Sequence, residues 1–427
     1  MIWTVAVSLL ALMALSIPVG IVLFILGIGV SEFYSAFPLL RALGQVVWSS
    51  SSSATLIAIP FFVLLGEILV RGGVAERTYS ALDKWLSWLP GGLIHANIAT
   101  ATMFSATSGS SVATAATVAT VAMPQADRLG YDPRLFAGAI AAGGTLGILI
   151  PPSINLIVYG FLTETSIPQL FSAGLIPGLL MALAFVVVTA LICRARPALG
   201  GPSRSFGWGE RLRGLIQLVP IVILFTVVIG SIYAGWATPT ESAAVGVVIA
   251  ALIAATLGHG LGLRTIAEAL HGTVRISAMI MLVITGAYFL NFAMTSAGLG
   301  QQLTDLLENT GLPPLGTLLL IVLLYLVLGF FIETLSLMVA TIPIIVPIVS
   351  NLGYDKVWFG VLLIVLIEMA LITPPVGLNL FVVQSTRAKG SMSDVILGVI
   401  PYVFVMLGMI GLLIALPGLA LWLPSKL

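Results

Sequence analysis

The stretch Gly143-Gly144-Thr145-Leu146-Gly147-Ile148-Leu149-Ile150-Pro151-Pro152-Ser153-Ile154-Asn155 decides the fold. It lies inside an apolar run long enough to span a bilayer. Each proline lacks an N–H and collides with the preceding turn, so a helix entering this run must break near Pro151. In lipid a broken helix strands polar backbone groups, which is tolerated only inside protein or beside a watery cavity. A second stretch, Glu368-Met369-Ala370-Leu371-Ile372-Thr373-Pro374-Pro375-Val376-Gly377-Leu378-Asn379, carries the same interruption. Pro151 and Pro152 fall on Pro374 and Pro375 at a shift of 223 residues. Two interrupted spans in matching halves of a chain point to a transporter's binding site.

Composition agrees with that reading. Of 427 residues 59% are hydrophobic and 8% charged, and mean hydropathy is +1.17. A soluble domain carries about 25% charged residues, so the chain is a polytopic membrane protein. A net charge of +1 suggests neither nucleic acid nor an acidic partner. The single cysteine, Cys193, excludes internal disulfides and cysteine-ligated metals. His95, His259 and His271 are spread without metal-ligand spacing, and no nucleophile and base converge, so an enzyme is not expected. The first apolar run has no basic leader and exceeds a signal-peptide core, so it reads as a retained helix.

Runs of about 20 apolar residues place spans near 3–30, 50–70, 134–160, 168–193, 214–235, 239–258, 276–292, 357–384 and 394–424. Residues 71–90 and 259–275 read as amphipathic and interfacial. Two stretches, 91–127 and 313–349, have polar interruptions at Ser105-Ala106-Thr107-Ser108-Gly109-Ser110-Ser111 and Glu333-Thr334-Leu335-Ser336. The 223-residue shift also superposes Leu129-Gly130-Tyr131-Asp132 on Leu352-Gly353-Tyr354-Asp355. The chain therefore divides into a first repeat over 1–193, a linker and connecting helix over 194–238, and a second repeat over 239–427.

Topology follows from the basic residues. The arginine-rich stretch 194–213 belongs in the cytoplasm by the positive-inside rule. If 91–127 and 313–349 each enter and leave on one face, 14 of the 17 basic residues fall inside. A single crossing at either would scatter them. The expected fold is an all-α inverted-topology repeat with two re-entrant helical hairpins and two broken transmembrane helices.

Serine and glycine at a hairpin tip supply hydroxyls and free backbone groups, which suit a hard cation. Carbonyls before Pro151 and Pro374 lose their donors. The half-helices that follow, with Ser153, Asn155, Gly377 and Asn379, present partly positive N-termini suited to a substrate carboxylate. Glu333 at the second tip reads either as a cation ligand or as a structural group. Glu368 reads either as a proton carrier or as a polar helix contact. Glu241 reads as part of a capping box with Thr238 and Pro239.

The tip Ser105–Ser111, the run Gly147–Ser153, the segment Ala237-Thr238-Pro239-Thr240-Glu241-Ser242-Ala243-Ala244-Val245-Gly246 and Thr373–Asn379 together resemble the large membrane subunit (DctM type) of tripartite ATP-independent periplasmic (TRAP) transporters. The resemblance runs nearly end to end. It implies a sodium-driven importer of organic acids in the bacterial inner membrane, with an elevator mechanism and no cofactor beyond the coupling ion. It implies two partners, a small four-helix membrane subunit (DctQ type) and a periplasmic substrate-binding protein (DctP type). It also implies one sodium site at Ser108, Ser110, Ser111, Gly147 and Pro151, and a second at Glu333, Thr334, Thr373 and Pro374. The other transporter reading is a stand-alone sodium- or proton-coupled dicarboxylate carrier of related architecture.

Overall fold

A computed structural model describes residues 1–426 apart from 36, 109, 203, 258–259, 303–304, 306–311, 375 and 388–389, and apart from the side chains of 105–108. Regular structure among the described residues is helical throughout, and eight helical segments are long and apolar enough to cross a membrane. The first part of the chain forms α1 (Ile2–Ala14), α2 (Val19–Tyr34), α3 (Leu43–Ser51), α4 (Ala58–Arg71) and α5 (Val74–Leu86). Next come α6 (Leu93–Ser108), α7 (Ser111–Leu129), α8 (Pro133–Leu149), α9 (Ile154–Thr163) and α10 (Ile167–Ala195). The rest forms α11 (Trp208–Tyr233), α12 (Pro239–Leu257), α13 (Leu263–Ser296), α14 (Pro314–Leu328), α15 (Thr334–Asn351), α16 (Lys356–Ile372), α17 (Leu378–Ser385) and α18 (Met392–Ala415).

Helices α8 and α16 form the centre. Each has 17 residues and starts after an aspartate. Asp132 Oδ1 accepts from the N–H groups of Arg134 and Leu135, and Asp355 Oδ1 from those of Val357 and Trp358. Such caps satisfy donors that a helix start leaves open. Every residue of α8 from Leu135 to Leu149 is buried, as is every residue of α16 from Val357 to Ile372. A helix apolar on all sides belongs in the interior. Both end in extended backbone, at Ile150 and at Thr373. The interruptions thus fall where the prolines require, although Pro375 itself lies outside the described residues.

Around this centre α6, α7, α9, α10, α15, α17 and α18 pack. Helix α18 meets α8 through glycine: a Cβ on Gly398 would collide with the Arg134 carbonyl oxygen. Small residues let membrane helices approach to this degree. A second group contains α2, α4, α5, α11, α12 and α13, with α13 laid along α2 and α12 along α4. The two groups meet at α4 with α6, α5 with α6 and α7, and α13 with α15.

Three sequence expectations are corrected. The span over 3–30 is two helices, α1 and α2, joined around Ser16-Ile17-Pro18. They fold back on each other, since the Thr4 Oγ1 and Tyr34 hydroxyls lie 2.7 Å apart. Uniform apolarity hid the turn, and only Pro18 marks it. The interfacial stretch from Leu263 onward and the span over 276–292 are one helix, α13, because no proline or glycine pair separates them, while His259 lies outside the described residues. The connecting helix begins at Trp208, so Arg211 and Arg213 belong to α11. At the 223-residue offset α1 falls on the second part of α11, and α2 on α12.

Candidate functional site

The site is built by the arms of two hairpins and the two interrupted helices. The pairing is crosswise. Helix α17, the tail of the second interrupted helix, packs on α7 and α8 of the first part, and α9 packs on α15. The breaks permit this, because an extended segment frees each tail to turn toward the other half.

At the first hairpin, Ser110 is extended and caps α7, with its Oγ accepting from the Ala113 N–H at 3.3 Å. Ser111 follows, and its hydroxyl donates to the carboxylate of Glu368 in α16. Glu368 is wholly buried, and its Oε1 has no hydrogen-bond partner among the described residues. No arginine or lysine among them pairs with it. A buried carboxylate with one donor is costly in a membrane interior unless a cation or a proton balances it.

At the second hairpin, Glu333 occupies the position that the offset assigns to Ser110. It caps α15: Oε1 accepts from the Leu335 N–H at 3.1 Å and the Thr334 hydroxyl at 3.1 Å, and Oε2 from the Ser336 N–H at 3.0 Å. Thr334 is buried behind it. These bonds take three of the roughly four lone-pair sites of the carboxylate, a capping role that fits the structural one of the two sequence readings of Glu333.

At the first break, Ser153 caps α9 through its Oγ, which accepts from the Leu156 N–H at 3.3 Å. Asn155 is buried beside it, and its Nδ2 has no partner among the described residues. Gly147 closes on the same break from the last turn of α8, and Pro151 is buried within it. At the second break, the Thr373 hydroxyl donates to the Met369 carbonyl at 2.6 Å. Pro374 is half-buried next to it. Gly377 starts α17 at φ +55°, a backbone region that favours glycine. Asn379 is buried; its Nδ2 donates to the Ala141 carbonyl of α8 at 3.3 Å, while Oδ1 is unpaired among the described residues.

The structure brings Ser111, Asn379 and Glu368 to the first hairpin from both halves. Gly144 sits among them: an ideal Cβ there would lie 2.9 Å from the Ser111 carbonyl oxygen and 3.2 Å from Asn379 Nδ2. Ser153 and Asn155 go with α9 toward the second hairpin arm. Ser108 ends α6, but its side chain lies outside the described residues, as does Gly109. Sequence reading named Ser111 and Glu368 separately and missed their bond, because no local pattern links residues 257 positions apart.

The capping-box reading of Glu241 holds: the Thr238 N–H donates to Glu241 Oε2 at 2.8 Å, and the Glu241 N–H to Thr238 Oγ1 at 3.3 Å. This segment lines a cavity of about 720 Å³ that also touches Thr55, Glu164, Thr165 and Tyr288. None of the sequence-derived site residues lines it. Among the described residues no three His, Cys, Asp or Glu side chains gather to hold a metal ion.

A family model described as the tripartite ATP-independent periplasmic transporter, DctM component, matches residues 6–419. The chain belongs to this family. It is 32% identical to the C4-dicarboxylate TRAP transporter large permease protein DctM of Vibrio cholerae, over 99% of this chain and 97% of that one. It is 34% identical to the sialic acid TRAP transporter large permease protein SiaM of the same species, over 87% and 86% of the two chains. Among solved structures it shares the fold of the Alcanivorax borkumensis YdaH transporter, with a TM-score of 0.63 at 16% identity, covering 95% of this chain and 98% of that one. The chain is therefore a multi-span permease of the inner membrane and a transporter component rather than an enzyme. As one part of a tripartite system it works with further components, one of them periplasmic.

Proposed function

We propose that this protein is the large membrane subunit of a sodium-coupled importer of organic acids. The observation that carries the reading is the crosswise packing of two interrupted helices on two hairpin arms. It brings the Ser111 hydroxyl, the Glu368 carboxylate and the Asn379 amide, whose Oδ1 is unpaired among the described residues, into one buried region from both halves. Hard-cation sites are built from such oxygens. Ser108, Ser110, Ser111, Gly147 and Pro151 form the first cation site on this reading, and Glu333, Thr334, Thr373 and Pro374 the second. The substrate carboxylate lies between the starts of α9 and α17, near Ser153, Asn155, Gly377 and Asn379, where helix N-termini favour negative charge. Relatives are named for C4-dicarboxylates and for sialic acid, and the chemistry common to both is a carboxylate.

The group around α8 and α16 is the carrier, and the group of α2, α4, α5, α11, α12 and α13 is the fixed scaffold. The two halves are inverted repeats, each hairpin re-entrant. A small four-helix subunit flanks the scaffold, and a periplasmic binding protein delivers the substrate. Substrate uptake into proteoliposomes holding this chain and its small subunit tests the reading. Uptake that needs both a sodium gradient and the periplasmic protein is the expected result. A second reading rests on Glu368, buried with an unpaired oxygen. Uptake driven by a proton gradient without sodium would favour it and sink the sodium assignment.

A further inference from the structure

A cavity of about 520 Å³ opens between the end of α10 and the start of α11, and no residue of the two helix breaks lines it. Arg194, Arg204 and Arg211 line it, together with Trp88 and the turn Pro90-Gly91-Gly92. Arg204 is committed: its guanidinium donates to Asp83 Oδ2 at 2.9 Å and lies over the Phe206 ring. Arg194 and Arg211 are bonded to no carboxylate among the described residues. Arg211 lies over the Trp208 ring at 5.6 Å, and its buried Nε has no acceptor among the described residues. The cavity therefore holds two uncompensated guanidinium groups, one of them with an unfilled donor. The arginine fork matches the oxygens of a phosphate group.

The surroundings say where that phosphate comes from. Trp88 and Trp208 are 65% and 70% exposed. Tryptophan so placed marks the bilayer interface. From this end of the cavity α10 exposes Leu191, Val187 and Leu183 at four-residue spacing, and α11 exposes Leu212, Ile216 and Val219. These apolar stripes are what acyl chains cover, and they offer nothing to a free anion. We infer that the cavity binds the phosphate of an anionic phospholipid headgroup, held by Arg194 and Arg211, with its acyl chains along α10 and α11. The turn on its wall, with Gly91 at φ +110° and Gly92 at φ +43°, joins α5 to the first hairpin. If α6 moves with the carrier, as proposed above, the headgroup sits at a joint between fixed and moving parts. Only this consequence rests on that reading.

Native mass spectrometry of the purified full chain tests the binding. Phosphatidylglycerol, phosphatidylcholine and inorganic phosphate are offered separately. The expected result is retained phosphatidylglycerol, little phosphatidylcholine, and loss of retention by about tenfold or more in the Arg194→Gln, Arg211→Gln double variant. Arg264→Gln, at an exposed arginine elsewhere, should leave retention unchanged. Equal retention of the two lipids overturns the proposal, as does unchanged retention in the double variant. Inorganic phosphate that displaces the lipid assigns the site to a free anion and overturns it too. Exclusion of the lipid by a co-purified small membrane subunit assigns the cavity to a protein partner. If the double variant fails to fold, the comparison of the two lipids on the native chain still decides. Retention is read without transport, so its failure leaves sodium-driven import standing.

Discussion

The bond from Ser111 to Glu368 is the smallest feature that joins the two halves at the site. Its contribution can be separated from packing. Glu368→Gln keeps an oxygen acceptor for the serine hydroxyl, whereas Glu368→Leu strands that hydroxyl in a buried place at a cost of roughly 1–3 kcal/mol. Thermal unfolding of the purified protein should show a clearly larger drop for the leucine variant, and equal drops would mean that the bond contributes nothing. Asp83 gives a second prediction, outside the spans. Burial pushes its carboxyl up from the ordinary 3.8, and the Arg204 guanidinium pulls it back only in part. The folded protein then holds the proton more tightly than the unfolded chain. That contribution to stability is complete below pH 3.8 and is lost as pH rises through the raised folded value. Asp83→Asn, which carries no titrating proton, should flatten the unfolding curve against pH in that window. An unchanged slope would place the dependence elsewhere. Among single residues, the serines, the prolines and Glu368 stand out in the sequence by their chemistry, but the bond that joins Ser111 to Glu368 across the two halves is not legible there.

At the scale of elements, the two hairpins share one construction with different caps. Ser110 starts α7 and Glu333 starts α15, at positions related by the same offset that relates α8 to α16. Glutamate is the less usual cap, and here both of its oxygens hold backbone N–H groups. Glu333→Ala should cost about 0.5–2 kcal/mol, while Glu333→Asp, a favoured cap, should restore most of it. Melting temperature and uptake are to be read together. A stable Asp variant with full sodium-dependent uptake makes Glu333 a cap. A stable variant that has lost sodium dependence makes it a cation ligand as well. The elements are legible wherever the sequence marks a breaker or a cap: Pro151, Pro152, Pro374 and Thr238 each lie where a helix starts or stops near its sequence-derived place. The turn between α1 and α2 was not, because both sides of it are equally apolar and lengths of 13 and 16 residues resemble one bilayer span. The merging of α13 was missed for the opposite reason, since Arg264, Glu268, His271 and Arg275 read as an interface and yet continue one helix.

Across the whole molecule, α8 and α16 pack with their surrounding helices, and α2, α4, α5, α11, α12 and α13 pack as a second group, the two bodies of the proposed mechanism. Contact between the two is narrow beside the packing within each. One of the places where they touch is a pair of stacked rings: Phe161 of α9 and Tyr288 of α13, with centroids 5.7 Å apart. This pair borders the cavity that holds the Thr238-Pro239-Thr240-Glu241 segment. If transport moves one body past the other, these rings must separate in each cycle. The chain offers a clean background for the test, because its one cysteine, Cys193, is buried. In Cys193→Ala protein carrying Phe161→Cys and Tyr288→Cys, a short bifunctional thiol reagent should join the bodies. Uptake should then fall to background and return when a reducible reagent is cleaved. The single-cysteine variants, treated in the same way, should keep their uptake. Full uptake by completely cross-linked protein would mean that the two bodies stay together throughout, and alternating access would then have to arise within the group around α8 and α16.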